Sequence, residues 1–324
     1  VRAIVTGGAG FVGSHLVEHL LAEGGEVDAL DRQAQPRNLQ AVSAHPALRY
    51  IPCDLEQPGG ENFCRPADVL FHVAGYGEML AALQHPADYV RANVLGTAHA
   101  LDLARAAGCR RVVYAASSSC YGPHPPVPTD ETADCPTTHP YAISKWLGEE
   151  YLFRTAPVYG IEVNTLRFFT VYGDRMRRSD ALGPVLNIFL AQKANGRPLT
   201  IVGDGTQGRD FVHVQDVARA FVAAATSPRY GEMFNIGAGE TQTINRLAEL
   251  IGGPVVYVPA RHGDPHTARA NIAKAVRLLH WAPEIPFEDG LGAMLAHVED
   301  WREAPVWTPA TMEQGTRLWQ ELLA

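Results

Sequence analysis

At 324 residues the chain is long enough for about two domains, or for one large α/β domain with a smaller lobe. Its 46% hydrophobic and 19% charged residues, with 30 Gly and 23 Pro spread along it, exclude disordered, collagen-like and coiled-coil architectures. A formal charge of −8 without any Lys/Arg block argues against nucleic-acid and acidic-membrane partners, so an anionic ligand has to be held locally.

An apolar run over 3–6 stops at Gly7, Gly8, Gly10 and Gly13, after which Val12, Leu16, Leu20 and Leu21 recur at helical spacing. This predicts strand, tight turn, helix. Further strands are expected at 27–30, 50–51, 69–73, 111–115 and 163–168, with helices around 85–107 and 140–155. Such alternation builds a doubly wound parallel sheet, whose strands are apolar on both sides because crossover connections cover both faces. Beyond about residue 170 the pieces shorten: helix 184–194, strand 199–202, a loop over 203–212, helix 214–225, strand 233–236, helix 243–251, the VVYVP strand, and helices around 271–280 and 287–302. These predict a smaller C-terminal α/β lobe. Residues 1–169 are expected to form the sheet domain and 170–324 mainly the second lobe, with a segment of about 211–237 returning to the first. The amphipathic tail carrying Trp307 and Trp319 is expected to pack on the surface.

Cys53, Cys64, Cys109, Cys120 and Cys135 show no CxxC pairing and are expected to be free thiols, and no metal site is expected among them and the 13 His. Cys120 is given no chemical role, and His72 is expected to pack below a cofactor. No long apolar run follows a basic start, so a cytoplasmic protein without a membrane segment is the expectation.

Gly7, Gly10 and Gly13 fit GxxGxxG, and Gly8, Gly10 and Gly13 fit GxGxxG, where an apolar strand hands over to a helix. A side-chain-free turn lets the backbone approach a pyrophosphate, whose charge then rests on the amides of the helix N-terminus. An ordinary tight turn would use the same glycines. Asp31, at the end of the second strand and 18 residues beyond Gly13, suits a ribose diol and would repel a 2′-phosphate, which favours NAD over NADP. Arg32 beside it offers the opposite reading, since it could pair with a 2′-phosphate.

Tyr141 and Lys145 in PYAISKWLGEE are four apart, so a helix presents both on one face. A neighbouring ammonium and a bound cationic ring favour the phenolate, which would let Tyr141 accept a hydroxyl proton as hydride leaves. A half-buried Tyr beside a solvated Lys is the bland alternative. Ser117, Ser118 and Ser119 follow the apolar strand VVYAA and so emerge at the carboxyl end of a parallel strand, where open α/β sheets bind ligands; a serine turn capping its own backbone has the same sequence.

GGAGFVGSHL, Asp31, the CDL at 53–55, HVAG at 72–75, Asn93, SSSCYG, PYAISK, RFFTVYG and GRDFVHVQDVARA occur in this order over nearly the whole chain. In this the sequence resembles the extended short-chain dehydrogenase/reductase family, specifically its nucleotide-sugar epimerases and dehydratases. The resemblance implies a Rossmann sheet, a Ser117–Tyr141–Lys145 triad and a tightly held NAD. The cofactor would touch Gly7, Gly10, Phe11, Val12, Gly13, Asp31, Arg32, Asp54, Leu55, Ala74, Asn93 and Phe168 besides Tyr141 and Lys145. For the nucleotide sugar it implies Arg209, Phe211, Arg261 and Asp264 at the diphosphate end and Ser118, Ser119 and Thr170 nearer the sugar. It also implies a homodimer joined through two helices per subunit.

The shared first step of that family yields a 4-keto sugar, and side chains decide its fate. The dehydratases carry an Asp-Glu pair before the Tyr-Gly of this turn, and the decarboxylases keep a Glu at the second position. Aligned on Tyr121-Gly122, those positions are Ser118 and Ser119 here. Epimerisation needs no such groups, so epimerisation at C4 is the expected reaction. Many hexose epimerases read RxFN where this chain has Arg167-Phe168-Phe169-Thr170, a form also resembling uronic-acid epimerases, which leaves the C6 substituent open. A dehydratase or decarboxylase using Glu131, a nucleotide-sugar reductase, and a non-catalytic dinucleotide-binding protein are the alternatives.

Overall fold

The computed structural model describes residues 1–313 except 64, 177–182 and 261–265, together with 317 and 321. Seven parallel strands make the central sheet. The first six are β1 (Arg2–Thr6), β2 (Glu26–Asp31), β3 (Leu48–Pro52), β4 (Val69–His72), β5 (Arg111–Ser117) and β6 (Glu162–Phe168). After these come β7 (Thr170–Tyr172), β8 (Leu199–Val202), β9 (Gly208–Arg209) and β10 (Phe211–His213). The seventh sheet strand is β11 (Glu232–Ile236), which pairs with β6, Phe234 opposite Leu166. Spatial order is β11-β6-β5-β4-β1-β2-β3, so the chain reverses direction across the sheet between β1 and β4. At that switch point the carboxyl ends of neighbouring strands diverge and open a crevice.

The helices are α1 (Phe11–Ala22), α2 (Met79–Gln84), α3 (Pro86–Val90), α4 (Gly96–Ala106) and α5 (Pro140–Thr155), then α6 (Val185–Ala194), α7 (Val214–Thr226) and α8 (Ile244–Ile251). Alternation along the strands feeds two cores. Val69 and Phe71 of β4 and Val113 of β5 point to the layer of α1 and α7, where Leu16, Val17 and Phe221 are buried. Their neighbours Leu70, Val112 and Tyr114 face α4 and α5, against Leu101, Leu103 and Leu152. Truncating a side chain such as Leu101 to Ala would cost about 2–5 kcal/mol.

A third core gathers Leu186 and Phe189 of α6, Leu247 of α8, Phe211, Phe287 and Trp301. Around it stand the pair β8–β13 (Val255–Val258), the pair β7–β10, and a three-stranded sheet β12 (Gln242–Thr243), β9, β14 (Thr267–Ala268). Helices α9 (Ala273–Leu279) and α10 (Phe287–Ala296) come next in the chain. Trp307 and Met312 of the tail pack on this core, and Trp319 lies outside the described residues.

Three expectations are corrected. The segment 203–212, read as a loop, contains β9 and part of β10: its Gly-rich sequence lacks strand propensity, but pairing with β12, β14 and β7 supplies the backbone partners. The helix expected at 85–107 is interrupted by a π-turn over Arg91–Leu95, which carries the buried Asn93. The helix expected at 287–302 ends at Ala296 and resumes as a 3-10 turn, Val298–Trp301.

Candidate active site

The glycine turn closes on itself. Gly10 N–H donates to Gly7 O at 3.0 Å, and a Cβ on Gly13 would stand 2.0 Å from that same oxygen. Gly7 has a φ of +68°, and a Cβ there would meet Ala74 N at 2.7 Å across the switch point. Gly10 caps α1 without a side-chain hydrogen bond, and helix geometry leaves the amides of Phe11, Val12 and Gly13 without intrahelical partners. The cradle therefore fits a pyrophosphate, which needs close backbone approach and donors at a helix start. Val12 packs on the sheet core, while the Phe11 ring leans on His15 and reaches the third core.

Asp31 ends β2 beside this turn, its Oδ2 accepting from Ala9 N at 3.1 Å and its Oδ1 from Gln33 N at 3.1 Å. Arg32 turns away: its guanidinium bonds the Tyr76 hydroxyl, lies 4.9 Å from that ring's centroid and approaches Glu56. Asp54 is exposed and accepts from Glu56 N at 3.0 Å, whereas Leu55 is buried beneath and its carbonyl holds His99 at 2.7 Å. Asn93 spends its amide on the loop after β4 and on α5, donating to Tyr76 O at 3.1 Å and Ser144 Oγ at 2.9 Å and accepting from Tyr76 N at 2.8 Å. Phe168 packs on Phe221, with centroids 5.6 Å apart. His72 lies below the turn, Nδ1 2.8 Å from Thr6 Oγ1 and Nε2 2.9 Å from Thr97 Oγ1. Burial, then the charge of Lys145, lowers its pKa to about 3, so it is neutral.

His139 starts α5, its Nδ1 accepting from Ala142 N at 3.3 Å, and Pro140 presets the first helical turn. Tyr141, Lys145 and Glu149 then succeed one another at intervals of four along one face. Tyr141 stacks on His139; burial raises its pKa, and the hydroxyl of Ser117 works in the opposite direction. Lys145 is buried, with Nζ 4.3 Å from the Tyr114 centroid, and desolvation lowers its pKa to about 7 while Glu149 pulls it back up. Close approach makes this possible, since a Cβ on Gly148 would meet Asn93 O at 2.6 Å and Tyr114 Oη at 2.7 Å. Ser117 ends β5 and its Oγ caps the 3-10 turn Ser118–Tyr121 by accepting from Ser119 N at 3.2 Å. Ser118 and Ser119 are half-buried on that turn.

Thr170 N–H donates to Asp210 O at 2.9 Å, which sets β7 beside β10. Arg209, on β9, donates to Gly208 O at 2.9 Å and faces the strand that begins after His266. Phe211 is not brought to a site surface: its ring is buried against Tyr172 and Phe287 in the third core. Arg261 and Asp264 lie outside the described residues. Glu131, the alternative carboxyl, accepts from Asn235 N at 2.8 Å at the edge of β11.

Sequence reasoning missed Asp210. It is fully buried and accepts from Ala238 N, Gly239 N at 3.1 Å and Ala270 N at 2.9 Å, with burial raising its pKa to about 6. Its place in GRDF, between Arg209 and Phe211, was the available signal. Glu149 and Arg167 were missed too. His15 and His19 stand four apart on α1, as metal ligands on a helix do, yet His15 bonds Asp174 O and His19 pairs with Glu23. A second such pair, His262 and His266, lies partly outside the described residues. Among the described residues no group of three or more His, Cys, Asp or Glu is placed to hold a metal, and no helix is long and apolar enough to cross a membrane.

A family model described as the NAD dependent epimerase/dehydratase family matches residues 3–237. A UDP-glucose 4-epimerase of Mycolicibacterium smegmatis is 33% identical over 303 residues, 90% of this chain and 96% of that one. A UDP-glucuronic acid decarboxylase 1 of Arabidopsis thaliana is 31% identical over 321 residues, 91% of this chain and 69% of that one. Among solved structures, a UDP-glucuronic acid 4-epimerase from Bacillus cereus in complex with UDP-glucuronic acid and NAD superposes with a TM-score of 0.85 at 27% identity, over 93% of this chain and 99% of that one.

Proposed function

The chain belongs to the NAD-dependent epimerase/dehydratase family, and we propose that it inverts C4 of a UDP-hexose or UDP-uronic acid through a 4-keto sugar. The observation that carries this reading is the turn after β5. It joins Ser117 to the Tyr141 site and bears seryl hydroxyls, Ser118 and Ser119, at positions where elimination or decarboxylation would call on carboxyl groups. Glu131, in the loop after that turn, is already engaged by Asn235 N–H. A 4-keto sugar formed here has the return of hydride as its easiest exit.

NAD, when bound, supplies a reversible hydride acceptor. The Gly7–Gly13 turn with the amides of Phe11 and Val12 would hold its pyrophosphate, and Asp31 its ribose diol. Tyr141 takes the proton of O4 and later returns it, Ser117 positions the reacting oxygen, and Lys145 favours the phenolate. Arg209, Arg261 and Asp264 would keep the nucleotide end fixed while the sugar, with Thr170 beside it, turns to present the opposite face of C4 for hydride return. We read residues 1–169 as the cofactor-binding domain and 170–324 as mainly the nucleotide-sugar lobe, with 211–237 returning to the sheet. We also read the protein as a homodimer: Val90, Leu95, Ile143 and Leu147 are exposed apolar residues on adjoining helical elements, a patch that a second copy would cover.

The test is incubation of purified protein with UDP-glucose, UDP-galactose and UDP-glucuronate, read by mass and NMR. The expected product has the substrate's mass, differs only at C4 and forms without net consumption of NAD. A product lighter by one water overturns the reading. One lighter by carbon dioxide establishes the second reading, decarboxylation, which the Arabidopsis relative favours.

A further inference from the structure

Cys120 and Cys135 are 15 residues apart in sequence, yet their sulfurs are 3.6 Å apart. Cys120 is buried on the Ser118–Tyr121 turn, three residues after Ser117; Cys135 is half-buried near the end of the loop 123–138. The two meet in a small apolar cluster with Tyr121, Phe169 and Ala270, on which Trp146 of α5 also packs. The loop is pinned on both sides of this contact. Thr129 exchanges backbone hydrogen bonds with Arg269 at 2.8 Å and Asn271 at 2.7 Å, Glu131 holds Asn235 N–H, and a Cβ on Gly122 would stand 2.9 Å from Pro136 O. The other described cysteines, Cys53 and Cys109, pack elsewhere, in the core under α4 and α5.

We propose that Cys120 and Cys135 are a reversible dithiol site that a peroxide-class oxidant closes into a disulfide, tying the loop 123–138 to the turn that carries Ser117. Forming the bond takes the sulfurs from 3.6 Å to about 2.05 Å, with the Cβ–S–S–Cβ dihedral at about 90°. The sulfur of Cys135 attacks the peroxide, forming an S–O bond as the O–O bond breaks, and the hydroxide that leaves takes up the Cys135 thiol proton as water. The sulfur of Cys120 then attacks that of Cys135, forming the S–S bond as the S–O bond breaks, and the departing hydroxide takes the Cys120 proton as water. Two thiols are oxidised and one peroxide is reduced to two waters.

Exposure and the nearby Arg167 charge assign the order of attack, Cys135 first. The hydrogen bond with Cys120, then the charge of Arg167, lowers the Cys135 pKa, against the opposing effects of burial and Glu149. The buried guanidinium of Arg167, 5.0 Å from the Tyr121 ring centroid, is close enough for its charge to favour a thiolate at Cys135. Cys135 is also the more accessible sulfur.

The test treats the intact, cofactor-loaded protein with graded hydrogen peroxide, alkylates the remaining thiols and digests with a protease that cuts after Glu131, which separates the two cysteines. The expected result is a cross-linked peptide pair lighter by two hydrogens that dithiothreitol releases. Cys135→Ser and Cys120→Ala should each abolish it. Turnover of the oxidised protein should fall by about 10²-fold and recover on reduction, as expected when a turn beside the reacting groups shifts by about 1 Å. Oxidised Cys135→Ser should keep its rate. Over-oxidation of Cys135 without a cross-link, a bond to another cysteine, or full turnover by the cross-linked protein would overturn the proposal. Only the turnover arm rests on the reading of Ser117 as a site residue: a reduced protein without epimerase activity would sink that reading and leave the cross-link result standing.

Discussion

Arg167 Nε lies 3.0 and 3.2 Å from the two carboxylate oxygens of Glu149, and both side chains are almost completely buried. The pair joins α5 to β6 one turn beyond Lys145, and the Thr165 hydroxyl donates to the same carboxylate at 2.9 Å. Removing one partner leaves a charge in a low-dielectric interior, a loss far larger than the net gain from making the pair. Glu149→Gln should therefore destabilise the protein by about 3–5 kcal/mol, measured by urea denaturation. The double variant Glu149→Gln/Arg167→Met should recover part of that loss; equal or greater instability would show that the charge is not what matters.

Tyr141 stands on the face of α5 that Ser117 approaches. Tyr141→Phe removes the one group proposed to move the O4 proton and leaves the ring's packing on His139 intact. Turnover should fall about 10²-fold or more, with KM and the retained NAD nearly unchanged. Steady-state kinetics decide this, and near-normal turnover would remove Tyr141 from the chemistry.

His72 gives a pH dependence whose sign is set by its burial. Its pKa is about 3 in the folded protein against ~6.5 in an unfolded chain, so the folded state binds fewer protons between these values. The stability tied to the neutral ring is complete above ~6.5 and declines by ~1.4 kcal/mol per pH unit as pH falls toward 3. Lys145, lowered to about 7, contributes in a different window: its cost grows as pH falls from ~10.4 to 7 and is constant below. The difference in unfolding free energy between the protein and His72→Gln should thus change with pH only below ~6.5. A difference that is flat from pH 6.5 to 4.5 would mean that the buried ring titrates normally.

Asp31 meets the glycine turn through Ala9 N–H, so its carboxylate both shapes the turn and sets its charge. The protein should retain NAD and bind NADP more weakly by at least tenfold, and Asp31→Ser should narrow that ratio mainly by losing NAD. Binding to stripped protein, measured by fluorescence or calorimetry, reads this directly. Tighter NADP binding would point instead to Arg32, although Tyr76 and Glu56 engage that guanidinium.

The strand–turn–helix start, the alternation of strands and helices and the spacing of Tyr141 and Lys145 were all determined by the sequence alone. Each is a local property: side-chain periods of two and 3.6, and a turn that admits no Cβ at Gly13, operate within a few residues. Tertiary structure decided what joins distant segments. Asp210 reaches Ala270 across 60 residues, Asn93 reaches Ser144 across 51, and Arg167 reaches Glu149 across 18. No periodicity encodes such partners, because a buried polar group is satisfied by whatever backbone or charge the packed fold brings to it. The same holds for Phe211, which sequence placed beside a ligand and packing buried in a core, and for β9, whose residues become a strand only when β12 and β14 supply hydrogen bonds.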